Sequence, residues 1–207
     1  MIPVQVLAVR YLSGVDPTLA KALGAPAGYP SLGMLTTDCD DATYIALDAA
    51  TKAADVEVAY ARSFYAGAAN ASTPNAGEVI GILAGVSPGS VRSGMEAALE
   101  MLKHVGFEQA GEVPYLSHTV SSVGSFLAVE ANVPRGSAIA YLIAPPLEGM
   151  YAMDAALKAA DVKLCKLYAP PSETNFGGGL LSGTQSACEA ACAAFAAAVQ
   201  EVARKPL

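Results

Sequence analysis

The sequence predicts a mixed α/β (α+β) protein built from two tandem copies of one unit. Three observations predict it. A block Asp-Ala-Ala-x-Lys-Ala-Ala-Asp-Val occurs twice, from Asp48 to Val56 and from Asp154 to Val162, at an offset of 106 in a chain of 207 residues. Self-similarity at a fixed spacing marks a repeated structural unit. Short alternating apolar runs and Ala-rich helical runs then follow one another in the same order in both halves. Finally, 53% of the residues are hydrophobic and 15% charged. That is too apolar for disorder and more apolar than a compact domain needs, so part of the surplus is read as contact between subunits. Residues 1–112 and 113–207 are taken as the two domains, each of ordinary domain size.

In the first half, residues 4–10 alternate loosely and predict a strand. Asp16 can cap a short helix running to Leu23, with Pro17 at its first position and Gly24 after its end. Ser31 to Thr37 is a second strand, and Asp38-Cys-Asp-Asp41 turns it into the repeated helix. That helix is rich in Ala, the best helix former, and pairs Asp48 with Lys52 on its surface, as Asp154 pairs with Lys158 in the second copy. Val56 to Tyr60 is a third strand; a stretch of small and turn-forming residues follows over 65–75. Glu78 to Ala84 is the fourth strand, and Ser87 with Pro88 opens a helix to about His104. Residues 105–113 form the link.

The second half repeats the order. Tyr115 to Ser121 is a strand, Ser125 to Ala131 a short helix and Ser137 to Ala144 a strand. Pro145-Pro-Leu-Glu148 stands where the first copy has its acidic turn. Val162 to Leu167 is a strand, residues 170–179 form the second long polar segment, and Leu180 to Gly183 echoes Ile82 to Gly85. Ser186 and Glu189 read as a capping box for the last helix. Each half therefore reads β-α-β-α-β-β-α, with a parallel crossover expected through each Ala-rich helix.

The formal charge is −7, with −6 in residues 1–112 and −1 in residues 113–207. An acidic chain without a basic stripe argues against nucleic acid and suits a cationic small molecule or a metal. No apolar run reaches the roughly 20 residues that span a bilayer, and the N-terminus lacks the pattern of a signal peptide, so a cytoplasmic protein without membrane contact is expected. Cys188 and Cys192 stand one helical turn apart, but no His or further Cys joins them at a zinc-site spacing. Cys188 and Cys192 are read as small buried residues of an Ala-rich helix, and no metal site is assigned. His104 and His118 have no Cys or Ser placed for nucleophilic catalysis, and no G-x-S-x-G or phosphate-binding glycine motif occurs, so no catalytic residues are assigned.

Two features can carry function. The segments 65–75 and 170–179 occupy equivalent places, and their Asn70, Asn75, Gly177, Gly178 and Gly179 tolerate unusual backbone angles. They are either functional loops or plain surface connections. The other is an acidic set: Asp38, Asp40 and Asp41 in one turn, Glu78 at the start of a strand, Glu148 at the turn matching the Asp cluster, and Glu173 in the second loop. Helix capping alone would account for Asp40 or Asp41.

The strings Ser31-Leu-Gly-Met-Leu, the repeated helix, Gly81-Ile-Leu-Ala-Gly-Val-Ser-Pro88, Asp40-Asp-Ala-Thr-Tyr44, Arg62-Ser-Phe-Tyr-Ala-Gly-Ala-Ala69, Ala144-Pro-Pro-Leu-Glu148 and Pro171-Ser-Glu-Thr-Asn175 cover most of the chain in order. They resemble the tandem-domain bacterial microcompartment shell proteins of ethanolamine utilisation. The resemblance implies two circularly permuted shell domains, a homotrimer acting as a pseudohexamer, and flat tiles that join other shell proteins in a microcompartment facet. It implies a central pore gated by the two loops, with Tyr65, Gly67, Asn70 and Asn75 in one and Asn175, Phe176, Gly177 and Gly178 in the other. It also implies small acidic pores that include Asp41 and Glu148, and an ethanolamine site formed by Asp40, Glu78, Glu173 and Thr174 with Phe107 as an apolar wall. No cofactor is required, although some relatives are associated with cobalamin. The competing reading is a small-molecule-binding enzyme or sensor on a duplicated α/β fold, since paired carboxylates can do acid–base work. Assembly into trimers and sheets separates the first reading from turnover of an amine.

Overall fold

The computed structural model describes residues 1–64, 78–169 and 175–205. The chain forms two compact units. The first contains Pro3–Val105 and Gly124–Leu127; the second contains Met1–Ile2, Gly106–Val123 and Ala128–Leu207.

In the first unit the elements are β1 (Val6–Ser13), α1 (Pro17–Ala22), β2 (Ser31–Thr37), α2 (Asp40–Ala53), β3 (Val56–Phe64), β4 (Glu78–Gly85) and α3 (Pro88–Met101). Its sheet has the order β1-β2-β4-β3, and every pairing is antiparallel. The two strands joined through α2 do run parallel to each other, but β4 is inserted between them. The expected crossover is thus a split one, without a parallel hydrogen-bonded pair. The sequence of β4 explains its central place. It is apolar from Val79 to Gly85, and its Gly81 lies beneath α2, where an added Cβ would stand 2.6 Å from Leu47 Cδ1.

The second unit holds β5 (Glu108–Ala110), β6 (Val113–Val120), β7 (Ala138–Ala144), α5 (Pro146–Ala159), β8 (Val162–Tyr168), β9 (Gly177–Gly183) and α6 (Gln185–Arg204). The short helix α4 (Ser125–Glu130) starts among residues of the first unit and ends among those of the second. The second sheet has the order β5-β6-β7-β9-β8, again all antiparallel. Apart from β5, which occupies part of the expected link, this is the order of the first sheet. Strand β7, Ala-Ile-Ala-Tyr-Leu-Ile-Ala, is buried at every position, as a covered central strand should be. On α6, Cys188, Ala191, Cys192, Phe195, Ala198 and Val199 form a buried stripe at helical spacing. Gly149, Ala152 and Ala156 are buried on α5, and such small residues let two helices approach closely.

Local signals hold in part. Asp16 caps α1 by accepting N–H bonds from Thr18 and Leu19. Ser87 and Ser90 form a reciprocal capping box on α3, with Pro88 at its start. At α6 the cap is Thr184, which accepts the Ala187 N–H, and not Ser186. The reason is that Ser186 already lies inside the first turn, where its backbone is helical.

The second polar loop also ends sooner than expected. Gly177, Gly178 and Gly179 are the first residues of β9, opposite Ala144, Ile143 and Leu142. Their lack of a side chain serves close packing. An added Cβ would overlap the Leu142 carbonyl oxygen at Gly178 and the Lys166 carbonyl oxygen at Gly179.

Candidate functional site: the acidic turn and the loop roots

The acidic turn is built where β2 ends and α2 begins. The Asp38 carboxylate accepts the Gln5 N–H at 2.8 Å, and the Asp38 N–H donates to the Gln5 carbonyl at 3.2 Å. Thr37 Oγ1 accepts the Cys39 N–H at 3.1 Å and lies 2.7 Å from Thr43 Oγ1. Thr43 Oγ1 in turn donates to the Cys39 carbonyl at 2.8 Å. The helix is therefore tied down by threonines. Its N-cap is Cys39, which makes no side-chain cap bond. Neither Asp40 nor Asp41 acts as the capping residue. Asp40 Oδ1 accepts the Asp41 N–H at 2.9 Å, and both occupy the first turn, where the helix end favours negative charge. Asp38, Asp40 and Asp41 are all buried.

Burial, with Asp41 next in effect, pushes the Cys39 thiol well above its usual range. Burial also raises the thiols of Cys165, Cys188 and Cys192. Only Cys165 is partly exposed. We expect a thiol reagent at neutral pH to label Cys165 slowly in the native protein and the other three only on unfolding, because each raised thiol holds less thiolate. Peptide mapping after timed labelling checks this; native labelling of Cys39 would contradict it.

Glu78 is the first residue of β4, opposite Phe64. The next residue, Val79, pairs with Thr37 on one side and Ser63 on the other. This register puts the Glu78 backbone at the sheet end from which Asp38 to Asp41 emerge. Ser63 was not singled out from the sequence. Its hydroxyl is buried and has no hydrogen-bond partner among the described residues, next to the same sheet end. A buried polar group in that condition calls for a ligand or a water, and only strand register could reveal it.

The second unit repeats the arrangement with other residues. The Ala144–Gly177 pairing sets the start of β9 beside the start of α5, whose first turn holds Glu148, half-buried. Gly149 lies so close that an added Cβ would be 2.6 Å from the Gly177 carbonyl oxygen. Phe176 meets Phe107 edge to face, with ring centroids 5.5 Å apart. Phe107 is fully buried, and its carbonyl accepts the Ile2 N–H at 2.6 Å. Asn175, just before, takes a left-handed φ of 64°. Asp40 and Glu78 thus belong to the first unit and Phe107 to the second. Tyr65, Gly67, Asn70, Asn75, Glu173 and Thr174 lie outside the described residues.

The duplicated Asp behaves differently in its two copies. Asp154 forms the expected surface pair with Lys158, at 2.6 Å. Asp48 does not lie at the surface. It is fully buried, and its two oxygens accept the N–H groups of Gly124 and Leu127 at 2.8 Å each, with Lys52 3.3 Å away. Thr51 Oγ1 accepts the Ser125 N–H at 3.0 Å, and Tyr44 meets Phe126 at 5.9 Å. Asp48 therefore supplies the cap that α4 lacks in its own sequence, where Gly124 offers no side chain. A helix pattern read along one segment does not show which distant segment seats on it.

Comparison with known proteins agrees with this architecture. A family model described as BMC domain matches residues 31–114. The bacterial microcompartment shell protein EutL of Clostridium perfringens is 59% identical over 98% of this chain and 95% of its own length. EutL of Escherichia coli is 47% identical over 98% and 94%. The crystal structure of the ethanolamine utilization protein EutL from Leptotrichia buccalis superposes with a TM-score of 0.94 at 56% identity, covering 100% of this chain and 97% of that one. With two like units, each carrying the same strand order, the chain belongs to the EutL family of tandem-domain bacterial microcompartment shell proteins, which are structural components of the shell and not enzymes.

Proposed function

We propose that the chain forms a homotrimeric, pseudohexameric tile that joins other shell proteins, with a gated central pore and an acidic site for ethanolamine. The observation that carries the tile is the duplication itself: sheets of order β1-β2-β4-β3 and β6-β7-β9-β8, with 14-residue central helices matched at an offset of 106. Three such chains present six similar units, and closed rotational symmetry is the usual outcome for repeated interfaces. The connections between β3 and β4 and between β8 and β9 are the proposed gates. They leave equivalent strand ends, beside Asp40 and Asp41 in one unit and beside Glu148 in the other.

Ethanolamine is a cation with a hydroxyl, and its recognition needs carboxylate and polar partners together. Asp40 and Glu78 supply the charge in this reading, and the Ser63 hydroxyl, without a partner among the described residues, supports a polar ligand near that sheet end. Charge-assisted hydrogen bonds are about twice as strong as neutral ones, yet so small a ligand supports at best roughly micromolar-to-millimolar affinity. Calorimetry checks the site. Ethanolamine should bind and uncharged ethylene glycol should not, and Asp40→Asn and Glu78→Gln should each weaken binding by about tenfold or more, the loss of one such bond. Equal binding of the two ligands, or no effect of either substitution, removes the carboxylates from ligand recognition.

A further inference from the structure

The turn after α1 and the turn after α4 are copies of one turn whose surroundings have diverged. Gly24, Ala25 and Tyr29 donate their N–H groups to the carbonyls of Lys21, Ala20 and Pro26; Asn132, Val133 and Ser137 donate theirs to Val129, Ala128 and Pro134. Gly24 and Asn132 both take left-handed φ angles, 77° and 51°. The strands correspond as well. Glu57 pairs with Ala84 and Lys163 with Ser182, and both registers then slip at a bulge that leaves Ala59 and Cys165 in matching places. In the first half the turn is closed onto its sheet. Leu23, Ala25 and Ala59 pack against buried Leu32, Ile82 and Ala84, and a Cβ added at Gly24 would stand 2.9 Å from the Ala59 carbonyl oxygen. In the second half the shorter Ala131 stands in place of Leu23, and Asn132 carries the Cβ that so close an approach forbids. A cleft of about 180 Å³ lies there within the second unit, lined by Ala131, Asn132, Lys163, Cys165 and Ser182 among others.

We propose that this cleft binds a small oxyanion, a carboxylate or phosphate group, with the Lys163 ammonium as its counter-charge and the Asn132 side-chain amide as a second donor. A packing defect alone would leave an apolar void. Here the lining has gained polarity: Ser182 stands for Ala84, Asn132 for Gly24, and Lys163 reverses the charge of Glu57. Glu57 is engaged, accepting the Ser125 hydroxyl at 2.7 Å. Lys163 is exposed and has no ion-pair partner among the described residues. An ammonium offers donors and no acceptor, so it selects an anion. Glu130, which precedes Ala131, is already paired with Lys166 and does not cancel Lys163. Ser182 Oγ donates to the Ala138 carbonyl at 2.8 Å, so its oxygen is left to accept. It suits the hydroxyl of a hydroxy acid or of a protonated phosphate oxygen. The cleft is smaller than the roughly 300 Å³ at which pockets for drug-sized ligands begin, which excludes nucleotides and favours an anion of a few heavy atoms.

Cys165 lines the cleft and is partly exposed, so its alkylation by iodoacetamide reports occupancy. Phosphate, acetate and glycolate are titrated separately, with ionic strength held constant by potassium chloride. At least one should slow labelling of Cys165 saturably, by about tenfold at roughly ten times its dissociation constant, which for so small a ligand falls near the millimolar range. Chloride should give no protection. Protection by phosphate alone assigns a phosphoryl group; protection by the two acids, stronger for glycolate, assigns a carboxylate with a neighbouring hydroxyl. Lys163→Glu and Ala131→Leu, which restore the residues of the closed copy, should each abolish the protection. Lys163→Arg should keep it, and Lys158→Glu on α5 should leave it unchanged. Calorimetry with the same anions and variants reads binding without the thiol and should give the same ranking. No saturable protection and no binding heat with any of the three anions overturns the site, as does binding that survives Lys163→Glu. The tile and its ethanolamine site stand or fall independently of this result.

Discussion

Asp48→Ala is expected to destabilise the protein by about 2–5 kcal/mol, while Asp154→Ala, the same change at the matching position, costs about 0–1 kcal/mol. The difference comes from what each carboxylate holds. At position 48 the side chain is the acceptor for two buried amides, Gly124 and Leu127. Removing it leaves both unsatisfied, and each such group costs about 1–3 kcal/mol. Lys52 loses a partner too, but it is one-third exposed and can return to water. Asp154 loses only an exposed intrahelical pair. Asp48→Asn should fall between, because an amide keeps one acceptor oxygen where two are used. Chemical denaturation of the three variants at one protein concentration checks the ranking. Equal losses at positions 48 and 154 would mean that Asp48 does not hold Gly124 to Leu127.

Gly178→Ala should be the most damaging of the conservative glycine changes, by at least about 3 kcal/mol or as a failure to give soluble protein. Its φ is 153°, and the new methyl would overlap the carbonyl oxygen of Leu142, a backbone atom on the neighbouring strand that cannot step aside. Strand β9 lies between β7 and β8, so a shift there propagates to both partners. Gly89→Ala is the matched control. Its methyl would meet only Ser87 Oγ at 3.6 Å, an ordinary contact, inside helix α3. Replacing that glycine should be neutral or stabilising by up to about 1 kcal/mol. Thermal melting of the pair decides; similar midpoints would show that the sheet at Gly178 has room. The result also bears on the gate. A bulky residue at Gly178 reports on the sheet, so loop freedom is better probed at Asn175, outside the strand.

The fold was legible in the sequence to the extent that its signals are local. The offset of the Asp-Ala-Ala-x-Lys-Ala-Ala-Asp-Val block fixes the matched helices. The cap at Asp16 and the Ser87-Pro88 start read correctly because a cap involves neighbours within one turn. The family also followed from strings that lie along the chain. The insertion of β4 between β2 and β3, and of β9 between β7 and β8, was not legible, since the same alternation of strand and helix suits an adjacent parallel pair. It depends on which strand tolerates burial on both sides and close contact with a helix, a property of Gly81 and Gly178 in their packed surroundings.

The acidic site divides in the same way. Asp38, Asp40 and Asp41 are neighbours in sequence, and their clustering could be read directly. Glu78 joins them through the pairing of Thr37 with Val79, and Ser63 through the pairing of Ser63 with Val79. Such pairings between strands distant along the chain exist only once the sheet has formed. Asp48 and Asp154 make the division sharpest. The sequence by itself determined that both stand on like helices, four residues before a lysine. Only the tertiary structure decided that one is a surface charge and the other a buried acceptor. The physical reason is that the role of a carboxylate is set by the donors brought to it, and Gly124 and Leu127 reach Asp48 only through the folding of the chain.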